Sequence, residues 1–109
     1  MKLTSRQRAY LRSLSINETA IIQIGKSTLT PEVTDLISEA FKTRELVKIT
    51  VLKNCTQDIH EIANLVSERT HSTLVAVTGR RFVLYRPDKK EPKIILPSAS
   101  GSRKKENEE

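Results

Sequence analysis

The sequence predicts a two-layer α/β domain built on a mixed sheet, and three observations carry that reading. Apolar residues recur at helical spacing in two segments, Val33 to Phe41 and Ile59 to Val66. A short β-branched run precedes each helical segment, in the strand–helix–strand–helix rhythm of parallel strands joined by crossovers. Two further runs, Leu74 to Thr78 and Phe82 to Arg86, are separated only by a Gly79-Arg80-Arg81 turn, so they should pair antiparallel. With 109 residues the chain is long enough for one domain with a modest core and no covalent staples.

The elements follow in order. Thr4-Ser5-Arg6-Gln7 fits a capping box, with Thr4 as N-cap and Gln7 at the third helical position. The helix it opens should run to about Leu14, with Tyr10, Leu11 and Leu14 as a narrow apolar stripe. Arg6, Arg8 and Arg12 cannot all join that stripe, so most of them should face solvent or a ligand. After a polar link, Ile21 to Ile24 is a short buried strand that Gly25 ends. Thr30 then offers an N-cap hydroxyl, Pro31 suits the first helical position, and Glu32 complements the helix dipole. Between strand and helix, Gly25 to Leu29 presents backbone N–H groups near the positive end of a helix, with Lys26 alongside, an arrangement suited to phosphate. A solvated loop lysine beside an ordinary helix start would look the same.

The second helix carries Val33, Leu36, Ile37, Ala40 and Phe41 as its stripe and should end near Arg44. Leu46 to Leu52 is a strand with Val47, Ile49 and Val51 on one face and Lys48 and Thr50 on the wetter one. A turn through Lys53-Asn54-Cys55-Thr56 leads to a third helix over about Gln57 to Arg69. Right-handed crossovers would put the second and third helices on one side of the sheet if the strands add in one direction. The third and fourth strands follow, Pro87 ends the fourth, and Lys93 to Leu96 reads as a short terminal strand. From Ser98 to Glu109 the chain is polar and low in complexity, a disordered tail by composition.

Charge is segregated along the chain. The formal net charge is +6, and the tail's three bases and three acids cancel. Residues 1–17 carry Lys2, Arg6, Arg8 and Arg12 with no acid, and residues 79–93 carry six bases against Asp88 and Glu91. The two central helical segments are net acidic. A basic balance of this kind points to a polyanionic partner.

Several chemistries find no support. Gly25-Lys26-Ser27 ends like a phosphate-binding P-loop, but Ala20 stands where that motif needs its first glycine, and strand residues fill the interval. His60 and His71 are too far apart for a single-turn metal pair, and Cys55 has no partner thiolate. The acids fall at helical surface spacing, which favours solvation over acid–base catalysis. No enzyme activity, cofactor, metal or small-molecule substrate is therefore expected. A single cysteine excludes an intrachain disulfide and fits a reducing cytoplasm. No apolar leader is visible at the N-terminus, and no run approaches the roughly 20 apolar residues of a membrane span.

Four pieces of sequence, in this order and spacing, resemble the YhbY-like proteins, the bacterial single-domain form of the CRM (chloroplast RNA splicing and ribosome maturation) domain. They are Leu3-Thr4-Ser5-Arg6-Gln7-Arg8 with Leu11-Arg12; Gln23-Ile24-Gly25-Lys26; Glu45-Leu46-Val47-Lys48-Ile49; and Gly79 with Val83-Leu84-Tyr85-Arg86-Pro87, closed by Ile95-Leu96-Pro97. The resemblance implies a CRM-type domain over residues 1–97, an α-β-α-β-α-β-β unit with a mixed four-stranded sheet similar to the C-terminal domain of translation initiation factor three. It implies an RNA-binding protein associated with ribosomal RNA in precursors of the large subunit; the apolar inventory, separately, fits a monomer, although an edge strand could pair.

The family's Gly-x-x-Gly loop, similar to that of KH domains, would clamp the nucleic-acid backbone. Here it reads Gly25-Lys26-Ser27-Thr28, with Thr28 in place of the second glycine. A β-branched residue resists the positive φ that glycine takes freely, so the hydroxyls of Ser27 and Thr28 would have to serve instead. The expected RNA contacts are Gly25, Lys26, Ser27 and Thr28, with Arg6, Arg8, Arg12, Arg80, Arg81 and Arg86 supplying the positive field. Tyr85 could stack on a base or belong to the core. The competing reading is a basic module that docks on an acidic protein partner, and double-stranded DNA is a third candidate.

Overall fold

A computed structural model of the chain describes residues 2–97. The expected disordered tail over 98–109 lies outside the described residues. The elements are α1 (Ser5–Ser15), β1 (Ile22–Ile24), α2 (Pro31–Ala40), β2 (Leu46–Val51), α3 (Ile59–Arg69), β3 (Thr73–Thr78) and β4 (Arg81–Tyr85). They form one four-stranded sheet in the order β1-β2-β4-β3. β1 and β2 are parallel, with Ile22 opposite Ile49, while β4 runs antiparallel to both β2 and β3. The expected mixed sheet and element order are those observed.

Alternation along the strands sorts the core into two halves. Val47, Ile49 and Val51 of β2, with Phe82 and Leu84 of β4, meet Ile37 and Phe41 from α2 and Ile62, Ala63 and Val66 from α3. Helices α2 and α3 thus share one face, as right-handed crossovers in one direction require. The opposite face presents Leu46, Val75, Val83 and Tyr85, and receives Leu3 and Leu11 from the α1 segment. The two-layer expectation therefore describes the α2/α3 half, and α1 adds a partial third layer over β3 and β4.

Local rules set the helix ends. The Thr4 hydroxyl accepts from the Gln7 N–H at 3.1 Å while the Gln7 side chain accepts from the Thr4 N–H at 3.1 Å. Thr30 caps α2 through the Val33 N–H at 3.2 Å, with Pro31 at the first helical position. Asp58 caps α3. At the far end of α3, His71 takes φ +54°, the Ser72 N–H bonds the Ser67 carbonyl and the His71 N–H bonds that of Glu68, a Schellman closure with histidine in the left-handed position.

Three sequence expectations are corrected. Tyr10 is not part of a buried stripe; it remains 38% exposed, because Leu11 and Ser15 set the phase of α1 and Tyr10 lies about 100° away. Leu36 is 59% exposed, since the three-residue edge strand β1 is too narrow to roof that side of α2. Lys93 to Leu96 is not a strand. Its backbone is claimed by Glu45, a buried carboxylate that accepts N–H bonds from Asp88 (2.6 Å), Lys93 (2.9 Å) and Ile94 (2.7 Å). Ile94 and Leu96 then pack on the α1 side of the sheet, and the Gln7 amide donates to the Pro97 carbonyl at 3.0 Å.

Candidate nucleic-acid interface

The parallel strands β1 and β2 end at the same edge of the sheet, and the β3–β4 hairpin turns there as well. That edge gathers the Gly25–Thr28 loop, the Lys53–Asn54 turn and the Gly79–Arg81 turn. The Leu52 N–H bonds the Ile24 carbonyl at 2.8 Å, and the Val51 N–H bonds that of Arg80 at 2.7 Å, so all three loops are tied to one frame. The N-termini of α2 and α3 open at this edge too, and their dipoles add positive potential. Three acids stand there, Glu32 and Glu61 in the first turns of α2 and α3 and Asp58 at the N-cap of α3; the Asp58 carboxylate is occupied by the His60 and Glu61 N–H groups.

The loop itself is a tight turn closed by the Thr28 N–H on the Gly25 carbonyl at 2.9 Å. Thr28 sits at φ +56°, in the left-handed region. The expectation that threonine would resist this conformation is answered by the fold: the chain adopts the glycine geometry with a β-branched residue and carries the strain. The Thr28 hydroxyl donates to the Ser27 carbonyl at 2.6 Å, and Lys26 and Ser27 are exposed. Gly25 has no positive φ, and a Cβ there would touch the Asn54 and Leu52 side chains at 3.4 Å, so the neighbouring turn packs directly against it.

The remaining sequence candidates divide. Arg81 is exposed beside Lys53 at this edge, and Arg12 reaches toward Arg81 from the last turn of α1. Arg80 is exposed but partly committed, bonding the Val51 carbonyl at 3.0 Å through Nε and the Leu52 carbonyl through Nη2. Arg6 is exposed on the first turn of α1, away from the loop edge. Arg8 is structural: its guanidinium bonds the Leu74 and Val75 carbonyls at 2.5 and 2.8 Å, where a bulge disrupts the β3 ladder. Arg86 is structural as well, at the opposite edge. It donates to the Thr70 carbonyl at 2.8 Å and lies 5.0 Å over the Phe41 ring. Tyr85 is only 2% exposed and belongs to the core, out of reach of a base.

Sequence reasoning missed Lys53 and Lys48. Lys53 was legible as a turn residue, but nothing in one chain pairs that turn with Gly25. Lys48 lies on the α1 face of the central strand β2, its ammonium 3.3 Å from the Ser15 carbonyl. Among the described residues the one side-chain ion pair is Lys42–Glu39 at 3.2 Å. The cations Lys26, Lys53, Arg12 and Arg81 therefore form no side-chain ion pair among the described residues, which leaves them to an external anion. No cluster of three or more His, Cys, Asp or Glu among the described residues could hold a metal, and no described helix is long and apolar enough to cross a membrane.

Comparison with known proteins agrees with this geometry. The family model of the CRS1/YhbY (CRM) domain matches residues 3–86. A Bacillus subtilis (strain 168) protein named Probable RNA-binding protein YqeI is 37% identical over 95 residues, covering 87% of this chain and 99% of the relative. A Haemophilus influenzae protein named RNA-binding protein is 30% identical over 95 residues, covering 87% of this chain and 95% of the relative. The solution structure of the hypothetical protein SAV1595 from Staphylococcus aureus, described as a candidate RNA binding protein, superposes with a TM-score of 0.76 at 42% identity. It covers 88% of this chain and 100% of that one. With its sheet order, its loop at the end of β1 and a family match across nearly all of the folded chain, this protein belongs to the CRS1/YhbY (CRM) domain family.

Proposed function

We propose that this chain is a non-catalytic RNA-binding protein that associates, as a monomer, with ribosomal RNA in precursors of the large ribosomal subunit in the cytoplasm and assists assembly. The observation that carries the reading is the row of unpaired cations at the loop edge, Lys26, Lys53 and Arg81, around the Gly25–Thr28 turn. Ammonium, guanidinium and hydroxyl groups presented on tight turns suit backbone phosphates, which are read by shape rather than by sequence. The names of the bacterial relatives support an RNA partner. The ribosomal assignment rests on the family resemblance.

The test is sucrose-gradient sedimentation of lysate, with and without nuclease, for wild type and for Lys26→Ala with Lys53→Ala and Arg81→Ala. Arg80 is spared because it holds the hairpin to β2. Co-migration with large-subunit precursors, lost on nuclease and weakened in the variant, is the expected result. A protein that leaves the top of the gradient only through a nuclease-resistant complex with an acidic protein would replace this reading with a docking module.

A further inference from the structure

Helix α1 packs mainly on β3 and β4, and a cleft of about 430 Å³ lies between its C-terminal half and the sheet. Three cations line it, Arg12 from α1, Lys48 from β2 and Arg81 from β4, and no acidic side chain does. Its apolar surface comes from Ala9, Ala76 and Val83 and from Ile16, a large hydrophobic that is 76% exposed at the end of α1. Hydroxyls of Ser13 and Thr78 stand among them. A charge-rich rim over an apolar floor fits a ligand that is anionic at one end and planar at the other, and the volume falls in the range of small-molecule sites.

Arg81 also lines the shallow depression that holds Lys53 and Arg80 at the loop edge. One side chain thus belongs to both places, and a strand held at the loop edge has a continuous basic path into the cleft. Lys48 is set where a central strand would ordinarily bury an aliphatic residue. Its bond to the Ser15 carbonyl caps α1 and also fixes the ammonium at the cleft wall.

We propose that this cleft receives one unpaired nucleotide of the bound RNA, its phosphate on Arg12 and Arg81 and its base against Ala76 and Ile16. This inference rests on the RNA-binding reading and adds to it a selectivity for single-stranded segments. It is tested by titrating a labelled single-stranded RNA oligonucleotide and a fully paired RNA of equal length, by fluorescence anisotropy, against wild type, Lys26→Ala and Ala9→Leu. Ala9 is exposed on a helix, so leucine fills the cleft while leaving charge and fold intact. The expected result is that Ala9→Leu weakens the single strand about tenfold and changes the duplex by less than about twofold, whereas Lys26→Ala weakens both. Wild-type affinity of Ala9→Leu for both RNAs, or an equal loss on both, overturns the nucleotide cleft and leaves RNA binding standing. Failure of wild type to bind either RNA overturns the functional reading itself, and the cleft proposal with it.

Discussion

Thr28→Gly should stabilise this protein, against the usual cost of placing glycine in a fold. Thr28 holds φ +56°, a region in which an L residue's Cβ crowds its own backbone at a cost of about 1–2 kcal/mol. Glycine removes that cost but gains freedom in the unfolded chain, which returns about 0.4–1 kcal/mol. The bond from the Thr28 hydroxyl to the Ser27 carbonyl is exposed, so its loss is small. The net gain is about 0.5–1 kcal/mol, or about 3–6 °C in Tm for a domain of this size. Urea titration and thermal melting, read by circular dichroism, measure it, with an unchanged m-value showing that the unfolded state is comparable. Gly79→Ala supplies the opposite sign. Gly79 has φ +59°, and a Cβ added there meets nothing within 4 Å, so alanine costs backbone strain less the entropy it removes from the unfolded chain, a net of about 0.5–1 kcal/mol. A Thr28→Gly variant that melts at or below wild type would show that residue 28 is not strained.

Other outcomes follow from the same structure. Arg8→Ala should lose about 1–3 kcal/mol of stability by orphaning the Leu74 and Val75 carbonyls, while Arg81→Ala leaves the urea midpoint within about 0.5 kcal/mol and weakens RNA binding. Glu45→Ala leaves three N–H groups without their acceptor and should cost about 2–5 kcal/mol, with proteolytic nicking appearing between Pro87 and Pro97. The Tyr85 phenol is pushed above its ordinary value by burial and next by the nearby Glu45 carboxylate. Its neutral form is therefore favoured in the fold: stability holds below about pH 10, falls as pH rises toward the higher native value, and the fall should vanish in Tyr85→Phe. RNA affinity should decline with salt at a log–log slope of about −2 to −3 if three or four phosphates are neutralised, and flatten by about two in the Lys26, Lys53, Arg81 triple variant.

The helix caps were readable because they depend on residues three apart: Thr4 with Gln7, and Thr30 with Val33. The alternation of Val47, Ile49 and Val51 fixed which side of β2 is dry. The family order of short motifs supplied the sheet. What could not be read are the long-range commitments of charged side chains. Nothing local distinguishes Arg8, which seals a bulge 66 residues away, from Arg12, which is unpaired. Glu45 stands in the sequence between the second helix and the strand with no partner in view; it becomes a buried acceptor only because residues 88–94 fold back over it. Lys53 joined the site through a neighbour relation between two turns that no single chain pattern encodes.

The clasp made by Glu45 and Gln7 has a consequence for how the molecule opens. Leu3 and Leu11 from one end of the sequence and Ile94 and Leu96 from the other meet on the same face of the sheet, and the Gln7 amide reaches Pro97. The α1 layer and the 88–97 strap therefore form one cooperative unit, separate from the denser α2/α3 side, and each holds the other down. In hydrogen exchange their amides should open together at a lower free energy than those of β2 and β4. In synthesis, the α1 layer cannot close until the strap has left the ribosome, so residues 88–97 complete the docking of a helix made well before them.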